Sequence, residues 1–582
     1  MNYTLTKKEE NSSEENFIET FKKLFELVKD EKKDLITGIF FIILNNLLNL
    51  TSPLIIGIVI DKYIKNKDFN SVLYYSFLLL IIYLIVLITS YTQTKTMGTL
   101  GQKTIFNLRN KLFLKLNNLP IDFFNKNKIG DLISRINNDT SKLSQFLAQS
   151  LVQFIGNIFL MIGSALFLLS INFYLGLLAI LPSLGLLIFN KIVSRYLKER
   201  NKESLRSMGS LNSEIQESLN NFKVIDSLNI GNYFKTKFGK QNENNFKKTL
   251  NSEVLNAIFV PTYTLSFNIA QIIVLYFGIS LIIKGDFSVG LFISLLTYVS
   301  RFYEPIRHLA SIWSYFQMAL AGWSRISEIL LLKSNLEIKK EHIETSNIKA
   351  KLEFKNVSFS YSEEKVIIKN INLSLEEGKT YALVGPTGGG KTTIANLMAR
   401  LYDPLEGTVF LDQKDIKSYE NEEKSKKIGF ILQEPFLFTG TLKENILYGN
   451  DEYINYSDEE LKNLIKKLDL DELINKFENG LNTNILSNTE GISLGEKQII
   501  AFIRALLRKP EIIILDEASA NIDTITEKIL EDILNKLPKE TIKVIIAHRL
   551  NTIQNANKIF FVNSGYITSA NSIDEAIKMF LD

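Results

Sequence analysis

Cysteine is absent from this chain of 582 residues, which excludes disulfides, thiolate metal sites and cysteine nucleophiles. An excess of charge of one sign is also missing, because 67 Lys and Arg stand against 63 Asp and Glu, for a net charge of +4. So balanced a charge gives no reason to expect nucleic acid as a partner. The N-terminal stretch lacks an apolar segment behind a basic start, so we expect no cleaved signal peptide.

Long apolar runs are confined almost entirely to the first 330 residues. Each of six runs has about 20 residues, the length that an α-helix needs to cross the hydrocarbon core of a membrane. The six runs are residues 36–60, 71–91, 150–170, 171–193, 257–283 and 289–312. The sixth is the weakest because it carries Arg301, Glu304 and Arg307, so the residues by themselves favour five spans more strongly than a sixth. Such charges are costly at mid-bilayer and suit a water-filled cavity or a cytoplasmic helix end better.

The orientation of these spans follows from the basic residues in the connections between them. Lys and Arg are frequent in the N-terminal stretch and in the two long connections, 92–149 and 194–256, whereas the other connections are short. The basic side is expected to be cytoplasmic, and six spans leave both termini there. The long connections have helical periodicity, which favours membrane helices that extend into the cytoplasm over ordinary helical loops, with short turns near 120–127 and 220–231.

The remainder of the chain has a different pattern. Residues 1–35 read as an N-terminal cytoplasmic segment, 36–330 as a six-helix transmembrane domain and 331–351 as a polar linker. Residues 352–582 alternate helical stretches with short β-type runs: LEFKNVSFSY, TYALVG, IGFIL, EIIILDEAS, KVIIAH and KIFFV. This alternation predicts a mostly parallel α/β domain, so the fold class is an all-α membrane domain followed by an α/β domain.

One glycine-rich motif predicts a phosphate-binding loop. GPTGGGKT fits G-x-x-x-x-G-K-[ST] and lies between an apolar strand and a helix, as that motif requires. Its residues, with the threonine that follows, are Gly385, Pro386, Thr387, Gly388, Gly389, Gly390, Lys391, Thr392 and Thr393. Backbone N–H groups and the helix N-terminus would surround the phosphates, with Lys391 on the β- and γ-phosphates and the Thr392 hydroxyl on Mg²⁺. ATP and Mg²⁺ are therefore the expected cofactors.

A second motif, IIILDE, is an apolar strand that ends in two acids. Asp516 would hold Mg²⁺ through water, and Glu517 would act as the general base on the attacking water. A buried strand that ends in a solvated acidic loop is common. The assignment gains weight because the strand follows a P-loop in an α/β domain.

With these motifs the sequence resembles the ATP-binding cassette (ABC) family over nearly its whole length. This resemblance implies that Tyr361 in VSFSY stacks on adenine and that Gln433 in ILQEPFLFTGTLKENI contacts Mg²⁺. It also implies that Asp523 in ASANID belongs to the D-loop and that His548 in IIAHRLNTI is the switch histidine on the γ-phosphate. ISLGEKQ takes the place of the signature motif LSGGQ and keeps Ser493 and Gly495. Taken singly, Tyr361 would be a strand aromatic, Gln433 a surface amide and His548 a strand-end histidine. Their roles rest on the ordered set, in which Glu517, His548 and Lys391 are catalytic and Thr392, Gln433 and Asp516 hold the metal.

The first half resembles type IV exporters, which have six helices per chain. FFNKNKIGDLISRINNDT matches their first intracellular loop, while FSVGLFISLLTYVSRFYEPIRHLA and MALAGWSRISEIL match their sixth helix and its exit. This resemblance implies a short transverse helix in each intracellular loop that docks on a cassette, near 120–127 and 220–231. It also implies the lipid bilayer and an amphipathic drug or lipid as partners.

The signature motif departs from the family pattern at two positions. Leu494 replaces a glycine, so a side chain crowds a close approach of backbone to phosphate. Glu496 replaces glutamine and adds negative charge near a triphosphate. Because the family shares each ATP site between two cassettes, the chain resembles the subunit of heterodimeric multidrug exporters that supplies the catalytic glutamate. The heterodimer is therefore favoured, and a homodimer with ISLGE in both sites stays open.

Other functions compete with a heterodimeric exporter. They are a homodimeric lipid flippase-type exporter and a membrane regulator that binds ATP but hydrolyses it weakly. An importer of the energy-coupling type is disfavoured by the fused domains and the long cytoplasmic helices. Polar residues inside the predicted spans favour interhelical hydrogen bonds over a cavity role. These residues are Asn45, Asn46, Gln153, Asn157, Asn268 and Gln271.

Overall fold

The computed structural model describes residues 3, 5, 29–333, 338, 351–361, 365–467, 474, 477, 479–486, 492–516, 532–546, 556–570, 575 and 578–579. The chain divides into two compact units. The helical unit comprises Leu5–Leu116 and Ile129–Leu331. The α/β unit comprises Met1–Thr4, Asn117–Lys128 and Leu332–Asp582, so two short stretches from the N-terminal half belong to it.

Long helices joined by short ones make up the chain from Lys32 to Leu331. Their bounds are α1 Lys32–Ile64, α2 Phe69–Asn117, α3 Ile121–Lys126, α4 Ile129–Ile171, α5 Phe173–Asn220, α6 Phe222–Ser227, α7 Gly231–Lys284 and α8 Val289–Leu331. Within the described part of the chain, five of them (α1, α2, α4, α5 and α7) are long and apolar enough to cross a membrane by length and composition. The five favoured spans are thus confirmed, and the sixth run lies on α8, which is a helix but less apolar.

The predicted helical extensions of the membrane helices are confirmed. Helix α2 is continuous over 49 residues, which is roughly 75 Å at the α-helical rise. Helix α5 continues to Asn220, and α7 begins at Gly231. The short helices α3 and α6 occupy the two positions where the sequence predicted turns.

A proline in the middle of α1 explains how that helix pairs with α8. Pro53 has no N–H, so the carbonyl of Asn49 lacks its donor one turn ahead. The Arg301 Nη1 donates to that Asn49 oxygen at 2.6 Å. Two further side chains of α8 also reach carbonyls of α1, with Tyr298 donating to Leu50 at 2.5 Å and Ser294 donating to Pro53 at 2.6 Å. The cost of a charged side chain in this run is thus offset by a backbone acceptor rather than only by water.

The other end of the α1–α8 pair is held by one carboxylate. Asp61 accepts hydrogen bonds from the Ser288 hydroxyl at 2.5 Å and from the N–H groups of Gly290 at 2.7 Å and Leu291 at 3.1 Å. It therefore caps the start of α8, where unpaired N–H groups carry partial positive charge. A Cβ on Gly290 would lie 2.0 Å from the carbonyl oxygen of Gly57, so only glycine permits this approach of the two backbones.

An ion network ties α4 to the last turns of α8. Arg135 is 3% exposed and reaches Asp131 at 2.9 Å and Glu328 at 2.7 Å. Arg325 pairs with Asp139 at 3.0 Å, and Asp139 is 1% exposed. Buried charges are tolerated when each has a partner, so the network fixes the pairing of these two helices.

A polar residue of α1 supports the interhelical interpretation of the polar side chains in the spans. Asn45 Nδ2 donates to the Val86 oxygen at 3.0 Å and to Thr89 Oγ1 at 2.9 Å, both on α2. Asn46 instead donates to the Ile42 oxygen of its own helix at 2.7 Å. The interhelical prediction is thus confirmed for Asn45.

The α/β unit contains two main sheets. Their strands are β1 Leu352–Phe359, β2 Ile368–Leu375, β3 Thr380–Val384, β4 Glu406–Leu411, β5 Lys414–Asp415, β6 Ile428–Ile431, β9 Ile512–Asp516, β10 Ile542–Ile546, β11 Lys558–Asn563 and β12 Tyr566–Ala570; a separate small pair is β7 Gly440–Thr441 and β8 Asn484–Ile485. The larger sheet has the order β12-β11-β3-β10-β9-β6 and is parallel except for β12. The predicted α/β class is confirmed. LEFKNVSFSY differs from the parallel prediction because it forms β1 in an antiparallel sheet of order β2-β1-β4-β5.

The parallel strands set the position of the site. The carboxyl ends of β3, β10, β9 and β6 meet at one edge of the sheet, where ligands bind in open α/β folds. The strand interiors are apolar on both faces, as expected for a sheet covered by helices on each side. Among the described residues after α8, the α-helices are α9 Lys391–Met398, α10 Asn421–Lys427, α11 Leu442–Leu447, α12 Asp458–Lys467 and α13 Leu494–Leu507.

Candidate nucleotide-binding site

The glycine-rich loop follows β3 and ends where α9 begins. Gly385 has a φ of 140°, and a Cβ there would lie 2.0 Å from the Val562 oxygen of the neighbouring strand β11. Gly390 has a φ of 115°, which side chains rarely adopt, and its Cβ would lie 2.7 Å from Ile368 Cδ1. The loop can therefore wrap tightly around a phosphate only with glycine at these positions. The predicted strand–loop–helix context is confirmed.

Lys391 is folded back onto the loop that would hold the phosphates. Its side chain is 5% exposed, and Nζ donates to the oxygen of Gly385 at 2.9 Å and of Pro386 at 3.1 Å. A buried ammonium needs such acceptors. Phosphate oxygens are stronger acceptors than carbonyls, so the Lys391 ammonium is positioned to exchange these carbonyls for an anionic ligand.

Two of the three residues predicted to hold the metal, Thr392 and Asp516, lie side by side. Thr392 Oγ1 donates to Asp516 Oδ1 at 3.3 Å, which joins the first turn of α9 to the end of β9. Both are oxygen donors, the ligands that Mg²⁺ prefers, and Mg²⁺ keeps most of its shell for water and phosphate. The described residues contain no group of three or more His, Cys, Asp or Glu able to hold a metal ion. Two oxygen donors fit a Mg²⁺ ion that would take its remaining ligands from water and phosphate.

Gln433 follows β6 at the same edge of the sheet. Its side chain is exposed, and its backbone oxygen accepts from Gln498 Nε2 at 3.2 Å. Gln498 has no exposed surface and lies on α13. The loop that carries Gln433 is thus attached to the helix that begins at the signature motif, a link that the sequence analysis did not predict.

Tyr361 lies in an aromatic cluster beside the P-loop helix. Its ring is 4.9 Å from that of Phe359 and 5.1 Å from that of Tyr402, and its hydroxyl donates to Thr393 Oγ1 at 3.3 Å. Asn396 Nδ2 of α9 donates to the same hydroxyl at 3.3 Å. The cluster places a half-exposed ring next to the phosphate-binding loop, where adenine would stack.

Tyr402 connects this cluster to the short helix α3. Asn125 Nδ2 donates to the Tyr402 hydroxyl at 2.8 Å, and burial of that hydroxyl raises the pKa of Tyr402. Both residues belong to the α/β unit, so this hydrogen bond supports the predicted docking of the first short helix on a cassette. The sequence analysis missed both residues because nothing in a lone Asn and a lone Tyr marks a contact between them.

The signature motif caps its own helix. Ser493 is the N-cap of α13, and its N–H and hydroxyl both donate to Glu496 Oε2 at 2.8 Å, while Glu496 N–H donates to Ser493 Oγ at 3.2 Å. This reciprocal pair is a capping box. Ser493 is exposed, Leu494 is the first residue of the helix, and Gly495 is buried. The Glu496 carboxylate therefore takes the N–H and hydroxyl that a phosphate would need.

Three of the predicted site residues lie outside the described part of the chain. They are the catalytic Glu517, the D-loop Asp523 and the switch histidine His548. In the sequence, Glu517 is the next residue after Asp516, where β9 ends, and His548 is the second residue after Ile546, where β10 ends. Their roles stay predictions.

Comparison with known proteins identifies both halves. Residues 35–306 match the family model of the ABC transporter transmembrane region, and residues 368–520 match the family model described as ABC transporter. An uncharacterized ABC transporter ATP-binding protein of Bacillus subtilis, YfiC, is 32% identical over 96% of this chain and 92% of its own length. A probable multidrug resistance ABC transporter protein of Bacillus subtilis, YheH, is 30% identical over 82% of this chain and 71% of its own.

A third relative carries a lipid function in its name. The ATP-dependent lipid A-core flippase of Syntrophus aciditrophicus is 28% identical over 94% of this chain and 91% of its own length. The matches extend across both units in one continuous chain, and the P-loop geometry fits the ATP-binding model. This chain belongs to the ABC transporters, with an exporter-type transmembrane region and an ATPase domain fused in a single polypeptide.

Proposed function

We propose that this chain is one half of a dimeric exporter that uses ATP hydrolysis to move amphipathic drugs or lipids out across the cytoplasmic membrane. The observation that carries the proposal is the glycine-bounded P-loop, with Thr392 beside Asp516, in a chain that also contains five membrane-length helices. The names of two relatives, a multidrug resistance transporter and a lipid flippase, support this substrate class. Both termini and the ATPase domain lie in the cytoplasm in this proposal.

Nucleotide binding would use the groups already gathered at the sheet edge. Tyr361 stacks on the adenine, the loop N–H groups and Lys391 bind the phosphates, and Thr392, Asp516 and Gln433 hold the Mg²⁺ that shields the phosphate charge. Glu517 takes the proton of the attacking water, and His548 contacts the γ-phosphate. The Lys391 ammonium gives up the carbonyls of Gly385 and Pro386 as it moves to the phosphates.

Helix α3 is the proposed transmission element. It follows α2 and precedes α4 in the chain, and Asn125 links it to Tyr402 in the aromatic cluster around Tyr361. A change at the nucleotide-binding edge can therefore shift α3, and with it the helices to which it is covalently joined. ATP then shifts the population from an inward-facing to an outward-facing state because it binds the closed cassettes more tightly.

The signature motif favours a different second subunit over a second copy. In the self-capped motif, the Glu496 carboxylate competes with a phosphate for the Ser493 hydroxyl and N–H. A site that uses this motif would bind ATP weakly, so a partner that supplies LSGGQ would complete the stronger site around Glu517. Helix α6 has two exposed apolar side chains, Phe222 at 63% and Val224 at 52%, and Leu228 directly after it is 62% exposed, which suits docking on a partner cassette.

Reconstitution in liposomes tests the transport function. The full chain, with its partner where one is needed, should move a fluorescent amphipathic dye or a labelled lipid in an ATP-dependent way, and Lys391→Ala should abolish ATP binding and transport together. Glu517→Gln should bind ATP but reduce turnover at least 100-fold. ATP binding without any transported probe would favour the regulator, and unchanged turnover in Glu517→Gln would remove the assignment of the base.

The subunit composition is tested separately. The chain should show full, substrate-stimulated ATPase activity only after mixing with a half-transporter that carries LSGGQ. Full activity of the chain purified alone would establish the homodimer instead.

A further inference from the structure

The third residue of the chain is buried. Tyr3 has 1% of its surface exposed and is among the largest fully buried side chains of the described residues. Ordering a side chain costs conformational entropy, so a buried aromatic indicates specific partners that hold it in place.

Two segments far apart in sequence form the seat of Tyr3. The Tyr3 hydroxyl donates to the backbone oxygen of Lys333 at 3.0 Å, and Asn127 Nδ2 donates to the backbone oxygen of Tyr3 at 2.8 Å. Asn127 Nδ2 also donates to the Phe123 oxygen at 2.7 Å, in the last turn of α3. All four residues belong to the α/β unit. One side chain amide thus joins the end of α3 to the N-terminal segment.

Both segments are placed where the two halves of the chain are covalently connected. Lys333 is the second residue after α8 ends at Leu331, where the chain leaves its last long helix for the ATPase domain. Helix α3 connects α2 to α4 and contacts the nucleotide-side cluster through Asn125 and Tyr402. Tyr3 therefore fastens the transmission helix to the start of the linker.

We propose that Tyr3 is a positioning residue that holds α3 in its seat on the ATPase domain, so that ATP-driven change reaches the membrane helices. The inference rests on the proposed transmission role of α3. The hydrogen bonds of Tyr3 to Lys333 and Asn127 hold α3 and the chain after α8, so we expect its loss to impair coupling and to spare ATP hydrolysis. Tyrosine suits the seat because its ring is buried while its hydroxyl satisfies the carbonyl of Lys333.

The decisive experiment measures transported probe per ATP hydrolysed by the full transporter in liposomes. Tyr3→Ala should keep basal ATPase activity within two-fold and lower the transport-to-ATP ratio at least five-fold. Tyr3→Phe, which keeps the buried ring, should recover most of that ratio. Tyr196→Ala, at a tyrosine that is 64% exposed, should match the unsubstituted chain. An unchanged ratio in Tyr3→Ala would overturn the proposal.

Because the chain has no cysteine, a cross-link can test the seat directly. The double variant Tyr3→Cys, Asn127→Cys should be poorly coupled as prepared, and a short cleavable bis-maleimide should restore the ratio until the linker is cut. Failure of the linked form to recover would contradict the proposal even where Tyr3→Ala folds poorly.

Hydrogen exchange separates this inference from the proposed function. In the full chain, Tyr3→Ala should speed amide exchange of residues 117–128 at least five-fold and leave residues 391–398 unchanged. If the unsubstituted protein transports no probe, the proposed function fails, while the exchange result still decides whether Tyr3 seats α3. Unchanged exchange in 117–128 would reject the seat itself.

Discussion

At the scale of single residues, Glu496 is the departure from the family pattern with the clearest physical consequence. Its carboxylate accepts two hydrogen bonds from Ser493, and the geometry matches another capping box of this domain, in which Glu460 accepts from the Ser457 N–H at 2.7 Å and hydroxyl at 2.8 Å. Both boxes stabilise their helices in the same way. Only the one at Ser493 lies where the family binds a phosphate of the opposite subunit.

Glu496→Gln should therefore raise the apparent affinity of the assembled transporter for ATP. Glutamine can still form a capping box but removes the negative charge from the signature motif. We expect the ATP concentration for half-maximal ATPase activity of the assembled transporter to fall about three- to ten-fold, equivalent to roughly 1 kcal/mol of removed repulsion. Steady-state ATPase titration measures this change.

Glu460→Gln is the matched control for that change. It makes the same chemical alteration in the same local geometry, so it should affect helix stability equally but leave the ATP titration within two-fold. Equal shifts in both variants would mean that Glu496 acts only as a cap.

At the scale of elements, the pairing of α1 with α8 follows from a missing N–H group. Pro53 leaves the Asn49 carbonyl without its helical donor, and the Arg301 guanidinium supplies another from α8. An unpaired carbonyl in this setting costs about 1–3 kcal/mol. Proline and arginine thus form a complementary pair across two helices.

Arg301→Met should lower the thermal unfolding midpoint of the purified full chain because it leaves that carbonyl unpaired, with a loss of about 1–3 kcal/mol. Adding Pro53→Ala restores an N–H four residues after Asn49. The double variant should therefore recover at least half of the loss, which a double-mutant cycle would measure.

Arg307→Met provides the control for this cycle. Arg307 lies on the same helix and contacts only its neighbour His308 among the bonds described for it, at 3.4 Å. Its substitution should change the midpoint little, and the effect should not depend on Pro53. Additive losses from Arg301→Met and Pro53→Ala would contradict the pairing.

At the scale of the whole molecule, one ion cluster binds the first strand of the ATPase domain to its central sheet. Lys351 pairs with Asp412 at 2.7 Å and with Glu511, and Lys427 pairs with Asp412 at 2.9 Å and with Glu511 at 2.7 Å. Burial acts to raise the pKa of both carboxyls, but the hydrogen bonds from the two lysines outweigh it and lower the pKa of Asp412 and of Glu511. Their charged forms therefore stabilise the folded domain.

The sign of the resulting pH dependence follows directly. Unfolded Asp and Glu have pKa values of about 3.9 and 4.3, and both folded values lie lower. The stabilisation is complete above the unfolded values and is lost as the pH falls through the folded ones. Asp412→Asn with Glu511→Gln should lower the unfolding midpoint at pH 7 and flatten its fall below about pH 4, as followed by circular dichroism.

A solvent-exposed ion pair of the same domain serves as the comparison. Glu422 pairs with Lys426 at 2.9 Å, and both side chains are more than two-thirds exposed. Glu422→Gln should leave the fall of the unfolding midpoint at acid pH unchanged, because exposed ion pairs contribute little to stability. If the unfolding midpoint of Asp412→Asn with Glu511→Gln fell at acid pH as steeply as that of the unsubstituted chain, the ion cluster would not be the cause of the fall.

The sequence predicted those parts of the fold that local pattern decides. Apolar length identified the five membrane helices, and the P-loop spelling placed Gly385, Gly390 and Lys391 in a loop between strand and helix, as found. It missed that LEFKNVSFSY joins an antiparallel sheet, because an isolated strand carries no information about its neighbour's direction. It also missed the contact between Tyr402 and Asn125, because both residue types are common and only the folded chain brings these two residues together.

By itself, then, the sequence determined the family and the order of the membrane and ATPase parts, because backbone conformation and membrane length depend on residues close together in the chain. Only the tertiary structure decided which distant residues meet: Arg301 with Asn49, Asn125 with Tyr402, and Tyr3 with Asn127 and Lys333. Such contacts depend on how helices pack in three dimensions. A single chain without its relatives does not encode that packing in any readable local pattern.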